Sequence, residues 1–280
     1  MFRTTSKAFF ALFVLLILNA NTSLGQSFLQ IKSSSISDVY QLKSMDNNDL
    51  IVRGKYRGTA EFGSIKKSSK EKVTFIVRIS QDGDFRWVTH VDMEVADMAV
   101  TSEEIWLLSV VKTKNKEVKT SSSDMTLMKY NFEGQKQSAK SICKLTGSLY
   151  DPYLRGVLNN NGEPMACAHW VKDKTTKLNG QTLKKNKFGA ICYVQYDHEG
   201  NEKWRQHTEG GTGSFTDMHI DAINFDKNNN FYLVGEFGQE AIFGSKKLTT
   251  ELAFAQRRGS IDLYFKGSFL GGFSYLVNIS

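Results

Sequence analysis

Proline is nearly missing from this chain, two residues in 280, which excludes collagen-like and proline-rich linker arrays. Cysteine is also scarce. Three residues cannot close a disulfide framework, so the small disulfide-stapled scaffolds are excluded. The longest apolar run, Ala8 to Leu18, is shorter than the roughly 20 residues a membrane-spanning helix needs. No Cys-x-x-Cys, His-Glu-x-x-His, Gly-x-Ser-x-Gly or phosphate-loop motif occurs, so zinc chemistry, a nucleophile elbow and nucleotide binding have no local signature. No segment holds the helical apolar period of about 3.6 residues for long, which makes helices scarce. What remains is 40% hydrophobic and 23% charged residues, 22 Gly, 12% aromatics and a net charge of +7. That is a globular chain built of glycine-punctuated strands, with a surplus of cations to place.

The first 25 residues read as a secretory signal. Arg3 and Lys7 precede the apolar run, and Ser23 and Gly25 supply small residues at a cleavage point before Gln26. Cleavage removes two cations and no acid, so the mature chain, 26–280, carries +5. It is expected to be secreted, periplasmic or extracellular, and not an integral membrane protein.

Internal repetition carries most of the information. Phe75 to Ile79 is followed by Gly83 and Trp87; Thr126 to Tyr130 by Gly134; Cys192 to Tyr196 by Gly200 and Trp204; and Leu263 to Gly267 by Gly271 and Tyr275. Each is a five-residue strand with a glycine four residues later, where a hairpin turn needs positive φ. A second strand precedes each of these: Leu50 to Tyr56 leads to Phe62-Gly63, and Tyr232 to Phe237 leads to Phe243-Gly244. Weaker copies are Trp106 to Val111 and Met165 to Trp170. A further short segment lies upstream of each, across turn clusters such as Asp46 to Asp49, Asn159 to Gly162 and Asp226 to Asn230. Each repeat is therefore four short strands, a to d, over approximately 35–91, 92–142, 143–208 and 209–280. This predicts an all-β chain, a β-propeller of about four four-stranded blades. Phe28 to Ile31 reads as one extra outer strand. A closed ring, an open arc and part of a larger propeller all fit the pattern.

These residues resemble the SBBP-type bacterial β-propeller repeats of secreted proteins. The resemblance is carried best by Phe231 to Phe243, Asp262 to Lys266 and Gly200-Asn-Glu-Lys-Trp204, and it covers roughly residues 35–279. It implies the architecture and no activity. The second repeat departs most from it, lacking the strand glycine, the Phe-Gly pair and the Trp.

Cations gather in the b-to-c connections. The first holds Lys66, Lys67, Lys70 and Lys72, and the second Lys112, Lys114, Lys116 and Lys119. The third holds Lys172, Lys174, Lys177, Lys184, Lys185 and Lys187, and the fourth Lys246, Lys247, Arg257 and Arg258. Acids such as Asp82, Glu133 and Glu199 fall in the opposite turns, so one basic face is expected. Such a face contacts an anionic polymer, a cell-surface component or another protein, by summed attraction. Lysines that only keep exposed loops soluble would give the same pattern. The scarcity of arginine and of aromatics in these stretches excludes sequence-specific nucleic-acid recognition.

Candidate chemistry is thin. Asp226-x-Asn228-x-Asn230 begins like a calcium loop, but Phe231 and Phe237 stand where the turn glycine and the bidentate glutamate belong, so a hairpin turn is expected. No cofactor is implied. Cys167 and Cys192 fall on adjacent strands and could form a disulfide in an oxidising compartment. The reading is a secreted, non-catalytic binding or scaffold module. A propeller-fold polysaccharide hydrolase or lyase and a structural subunit of a cell-envelope assembly are the alternatives.

Overall fold

The computed structural model describes residues 12–14, 29–33, 37–148, 153–170, 176–183, 190–210, 219–236, 240–243, 246–249, 260–268 and 272–278. All the regular structure among them is strand. The chain divides into two compact bodies, residues 1–94 with 131–135, and residues 95–130 with 136–280.

The first body contains β1 (Leu12–Val14), β2 (Leu29–Ser33), β3 (Ser37–Ser44), β4 (Leu50–Phe62), β5 (Ile65–Ile79) and β6 (Phe85–Val91). These form one sheet in the order β1-β2-β4-β5-β6, with β3 also paired to β4. In the second body follow β7 (Val95–Val100), β8 (Ile105–Asn115), β9 (Thr120–Tyr130), β10 (Lys136–Ser148), β11 (Tyr153–Leu158), β12 (Pro164–Trp170), β13 (Lys177–Leu178) and β14 (Gln181–Thr182). Then come β15 (Ala190–Tyr196), β16 (Glu202–Gly210), β17 (His219–Phe225), β18 (Phe231–Glu236), β19 (Glu240–Phe243), β20 (Lys246–Thr249), β21 (Ser260–Ser268) and β22 (Gly272–Asn278). Their sheets run β14-β13-β10-β9-β8-β7, β11-β12-β15-β16-β19-β20 and β17-β18-β21-β22. All four sheets are antiparallel, and none is closed.

Four antiparallel strands in chain order thus form the heart of each sheet, consecutive in the first two and interrupted by β13–β14 and β19–β20 in the third and fourth. Two boundaries differ. β10 runs on to Ser148 and β16 to Gly210, so the divisions expected at 142 and 208 fall inside strands. The expected extra strand at 28–31 is present as β2, which lies against Ala60 to Phe62 of β4. Leu12 to Val14, inside the expected signal segment, pairs with β2, and the rest of residues 1–28 lies outside the described residues.

The hairpins follow from local turn chemistry. Met45–Asp49, Ser80–Asp84, Asn131–Gln135, Asn159–Glu163, Asp197–Asn201 and Asp226–Asn230 share one geometry. The first residue's N–H donates to the fifth residue's carbonyl, and the fourth residue's N–H donates back to the first's, at 2.8 to 3.1 Å. The fourth position is left-handed in all six: Asn48, Gly83, Gly134, Gly162, Gly200 and Asn229. Glycine and asparagine adopt that conformation at low cost. Where the first residue is Asn131, Asn159 or Asp226, its Oδ1 also accepts from the N–H groups two and four residues on. Gly271, the fourth turn glycine of the repeat, lies outside the described residues.

Each body has an apolar core. In the first body Leu50, Val52, Tyr56, Phe62, Phe75, Val77 and Ile79 form the core. In the second, β15 is buried along its whole length. One of its faces, with Cys192, Val194 and Tyr196, packs on Leu108, Met125, Leu145 and Leu178. The other, with Ile191 and Tyr193, packs on Phe231 and Leu233. Burying these side chains is the dominant favourable term in the fold.

The three cysteines are free and buried. The β12–β15 register sets Cys167 opposite Tyr193 and Cys192 opposite Ala168. Adjacent positions along a strand face opposite ways, so the two thiols point to opposite faces of the sheet and the Cys167–Cys192 bridge that the sequence left open is not formed.

Candidate functional site

The b-to-c connections are not the flexible loops the cation pattern suggests. In the first two repeats they are continued strands. Lys66, Lys67, Lys70 and Lys72 lie on β5 in the first body, and Lys112 and Lys114 lie on β8 in the second. Lys116 and Lys119 occupy the turn between β8 and β9. Lys66 is paired with Glu61 at 3.2 Å and Lys72 with Asp38 at 2.8 Å. In the third and fourth repeats the connections carry short hairpins that leave their own repeat. β13 pairs with β10 of the second repeat, and β19 with β16 of the third. Lys177 lies on β13, and Lys246 and Lys247 on β20. Lys172, Lys174, Lys184, Lys185, Lys187, Arg257 and Arg258 lie outside the described residues.

One consequence is a polar row that crosses five strands of the second body. The registers place Thr113 opposite Ser122, Ser122 opposite Thr146, Thr146 opposite Lys177 and Lys177 opposite Thr182. Directly opposed residues point to the same face. At about 4.8 Å between strands the row spans about 19 Å. Asn115, Thr120 and Ser148 form a second, parallel row on the same face. The first row as far as Lys177, together with the second, floors an open cleft of about 690 Å³, which Lys119 and Lys177 flank.

The rows are held from below and at the ends. Leu178 and Leu183 are buried in the core and anchor the β13–β14 hairpin. Asn179 clamps that hairpin on β10: its N–H donates to the Lys144 carbonyl at 2.8 Å, and its Oδ1 accepts from the Lys144 N–H at 2.7 Å. Ser121 Oγ donates to the Ser148 carbonyl at 2.8 Å. Ser148 Oγ itself is buried at the cleft with no hydrogen-bond partner among the described residues. Asp124 and Lys144, one row further in, pair at 3.6 Å. The cleft can therefore offer hydroxyl donors and acceptors at regular intervals between two ammonium groups.

Of the cations singled out from sequence, this site brings together Lys119 and Lys177. Lys112 and Lys114 point to the opposite face of β8, and Lys66 and Lys67 belong to the other body. The hydroxyl residues were not anticipated. The run Thr120-Ser-Ser-Ser-Asp124 is unusual for a strand, but only the ladder shows that Ser122 has Thr113 and Thr146 beside it.

In the first body, the hydroxyl of fully buried Tyr56 lies 2.6 Å from His90 Nε2. Burial holds His90 below the ordinary histidine pKa, with Lys67 acting in the same direction. Asp226, the first residue of the calcium-like segment, has its carboxylate occupied by Asn230 Nδ2, the Asn228 and Asn230 amides and the Tyr232 hydroxyl, at 2.8 to 3.0 Å. That is a turn-capping role. Among the described residues no three His, Cys, Asp or Glu side chains gather to hold a metal.

Compared with known proteins, the chain matches no protein family and no curated relative.

Proposed function

We propose that the chain is a secreted, non-catalytic binding module that lays an extended anionic polymer, an acidic polysaccharide by preference, across the strands of the second body. The observation that carries this is the row Thr113–Ser122–Thr146–Lys177 on the floor of the cleft, which the ladder continues to Thr182. A sugar residue of an extended glycan is about as long as the strand spacing, so successive residues meet successive hydroxyls. Lys119 and Lys177 supply the attraction for acid groups. In this reading the four-strand sheets are blades of an SBBP-like propeller. Four successive meanders with shared turn geometry support it, as does face-to-face stacking of the sheets in the second body. The apolar N-terminal run with its flanking cations supports export.

The test is retention of residues 26–280 on immobilised heparin and alginate at low salt, with neutral dextran as the control matrix. Retention on the acidic matrices and release by salt are expected. Passage through both unretained at low salt overturns the reading.

A further inference from the structure

The tip of the β4–β5 hairpin does not run on away from the first sheet but doubles back over it. Phe62 lies eight residues beyond Gly54, the partner of Phe75, so a straight strand would carry it about 26 Å from that ring. Its ring centroid is instead 5.0 Å from that of Phe75, 6.2 Å from that of Tyr56 and 6.0 Å from that of Phe85. The bend falls at a bulge. The register jumps from Tyr56↔Val73 to Gly58↔Ser69, and Gly58 takes a φ of 82°, which glycine adopts at low cost. In the third and fourth repeats the matching hairpins leave for another strand, β13 for β10 and β19 for β16. In the first repeat the hairpin closes on its own sheet.

One face of this tip looks inward. Ala60 and Phe62 are fully buried, and Lys67 and Ile65, which pair with them, are half-buried, whereas Glu61, Lys66 and Ser68 are exposed. Lys67 is the one charged side chain of the inward set. Lys66 has Glu61 beside it at 3.2 Å, but among the described residues no carboxylate pairs with Lys67. The group that this ammonium acts on is His90, which stands opposite Phe75 in the β5–β6 ladder and is half-buried.

We propose that residues 58–69 form a lid that lifts from the first sheet when His90 takes up a proton. A neutral imidazole tolerates Lys67 beside it. An imidazolium sets two like charges between lid and sheet, where water screens them poorly. The other groups around His90 do not offset this. From β4 come Lys55 and the Tyr56 hydroxyl, from β5 Lys72, and from the end of β6 Asp92 and Glu94. Glu94 is engaged by Lys55, and Lys72 by Asp38 of β3. Asp92 is left to attract the imidazolium, and it acts on His90 less strongly than Lys67 does. The bulge at Gly58 lets the tip swing as a unit, and lifting it uncovers Tyr56, Phe75 and Phe85. This device belongs to the first body and does not depend on what the cleft of the second body holds.

The experiment is hydrogen–deuterium exchange of residues 26–280 at about pH 7.5 and about pH 5, on either side of the ordinary histidine value, with each rate corrected for the intrinsic effect of pH. Amides of 59–68 are expected to lose protection in acid while those of 50–56 and 73–79 keep theirs. In His90→Gln the lid should stay shut at both pH values, and in Lys67→Met the acid loss should shrink. Protection of 73–79 reports that each variant is folded. Should His90→Gln fail by that measure, Lys67→Met decides alone. Three results overturn the proposal: equal protection of 59–68 at the two pH values, loss of protection in 73–79 in step with 59–68, or an undiminished acid loss in either variant that is folded.

Discussion

Lys177 stands directly opposite Thr146 in the β10–β13 ladder, although the two belong to different four-strand repeats. This pairing carries the polar row from three strands to five and brings an ammonium group to the cleft. Lys177→Ala and Lys119→Ala are each expected to lower the salt concentration that elutes the mature chain from heparin, and the double variant more so. Both are exposed, so their thermal stability should stay within about 0.5 kcal/mol of the parent. Unchanged elution of the double variant would remove the cleft from the binding surface.

The carboxylate of Asp226 accepts from Asn230 Nδ2 first, then from backbone amides and the Tyr232 hydroxyl, and its pKa is held down to about 2. A depressed folded-state pKa contributes stability that is present above the unfolded value and lost as pH falls through the folded one. Acid should therefore weaken the β17–β18 hairpin between the ordinary carboxylate range and about pH 2. In Asp226→Asn that part of the acid sensitivity should vanish, as followed by the chemical shifts of Asn228 and Asn230 amides on titration.

Tyr56→Phe removes the hydroxyl that lies 2.6 Å from His90 Nε2 and leaves that nitrogen without its partner. A loss of about 1 to 2 kcal/mol is expected in urea unfolding. Because His90 in the parent is held below its ordinary value, its contribution is present above about pH 6.5 and is lost as pH falls. With burial and Lys67 still acting on it, the His90 titration seen by nuclear magnetic resonance should stay below the ordinary histidine value in the variant.

Gly162 and Gly83 occupy the same position of the shared hairpin turn, with φ of 79° and 91°. A Cβ at Gly162 would lie 2.2 Å from Cδ1 of Trp106, whereas at Gly83 nothing lies within 4 Å. Gly83→Ala should cost about 1 to 2 kcal/mol from backbone strain alone. Gly162→Ala adds overpacking, and about 3 kcal/mol or more is expected in the same denaturant series. Equal costs would mean that Trp106 moves aside freely.

Burial pushes the Cys143 thiol up to about 11 and Cys192 to about 12, and Cys167 still further. Thiolate is the reactive form, so the folded protein should not react with a thiol reagent at neutral pH. Denaturation without reductant should release three titratable thiols. Denatured, unreduced protein showing one thiol would mean that a disulfide had formed.

Much of the fold was legible because its signals are local. The turn geometry at Asn131, Asn159, Asp197 and Asp226 depends on five consecutive residues, and alternating strands flank each of them. The division into four repeats rests on the same offsets. The cation clusters were legible as positions and misleading as structure. Lys66 and Lys112 sit in sequence stretches rich in charge, yet their strands continue because each is paired along its length with β4 or β9. The cysteines show the same limit. Cys167 and Cys192 lie on neighbouring strands as expected, but register alone decides which face each thiol takes.

Composition and offset patterns by themselves determined an all-β chain, its four repeats and the residues of its turns, because periodicity and left-handed turn positions are set by neighbours in sequence. Only the tertiary structure decided where the hairpins of the third and fourth repeats go, which face of the sheet each thiol takes and which hydroxyls align. Those outcomes depend on strand pairings between residues tens of positions apart. A shift of one residue in any of them would send every side chain of the strand to the other face.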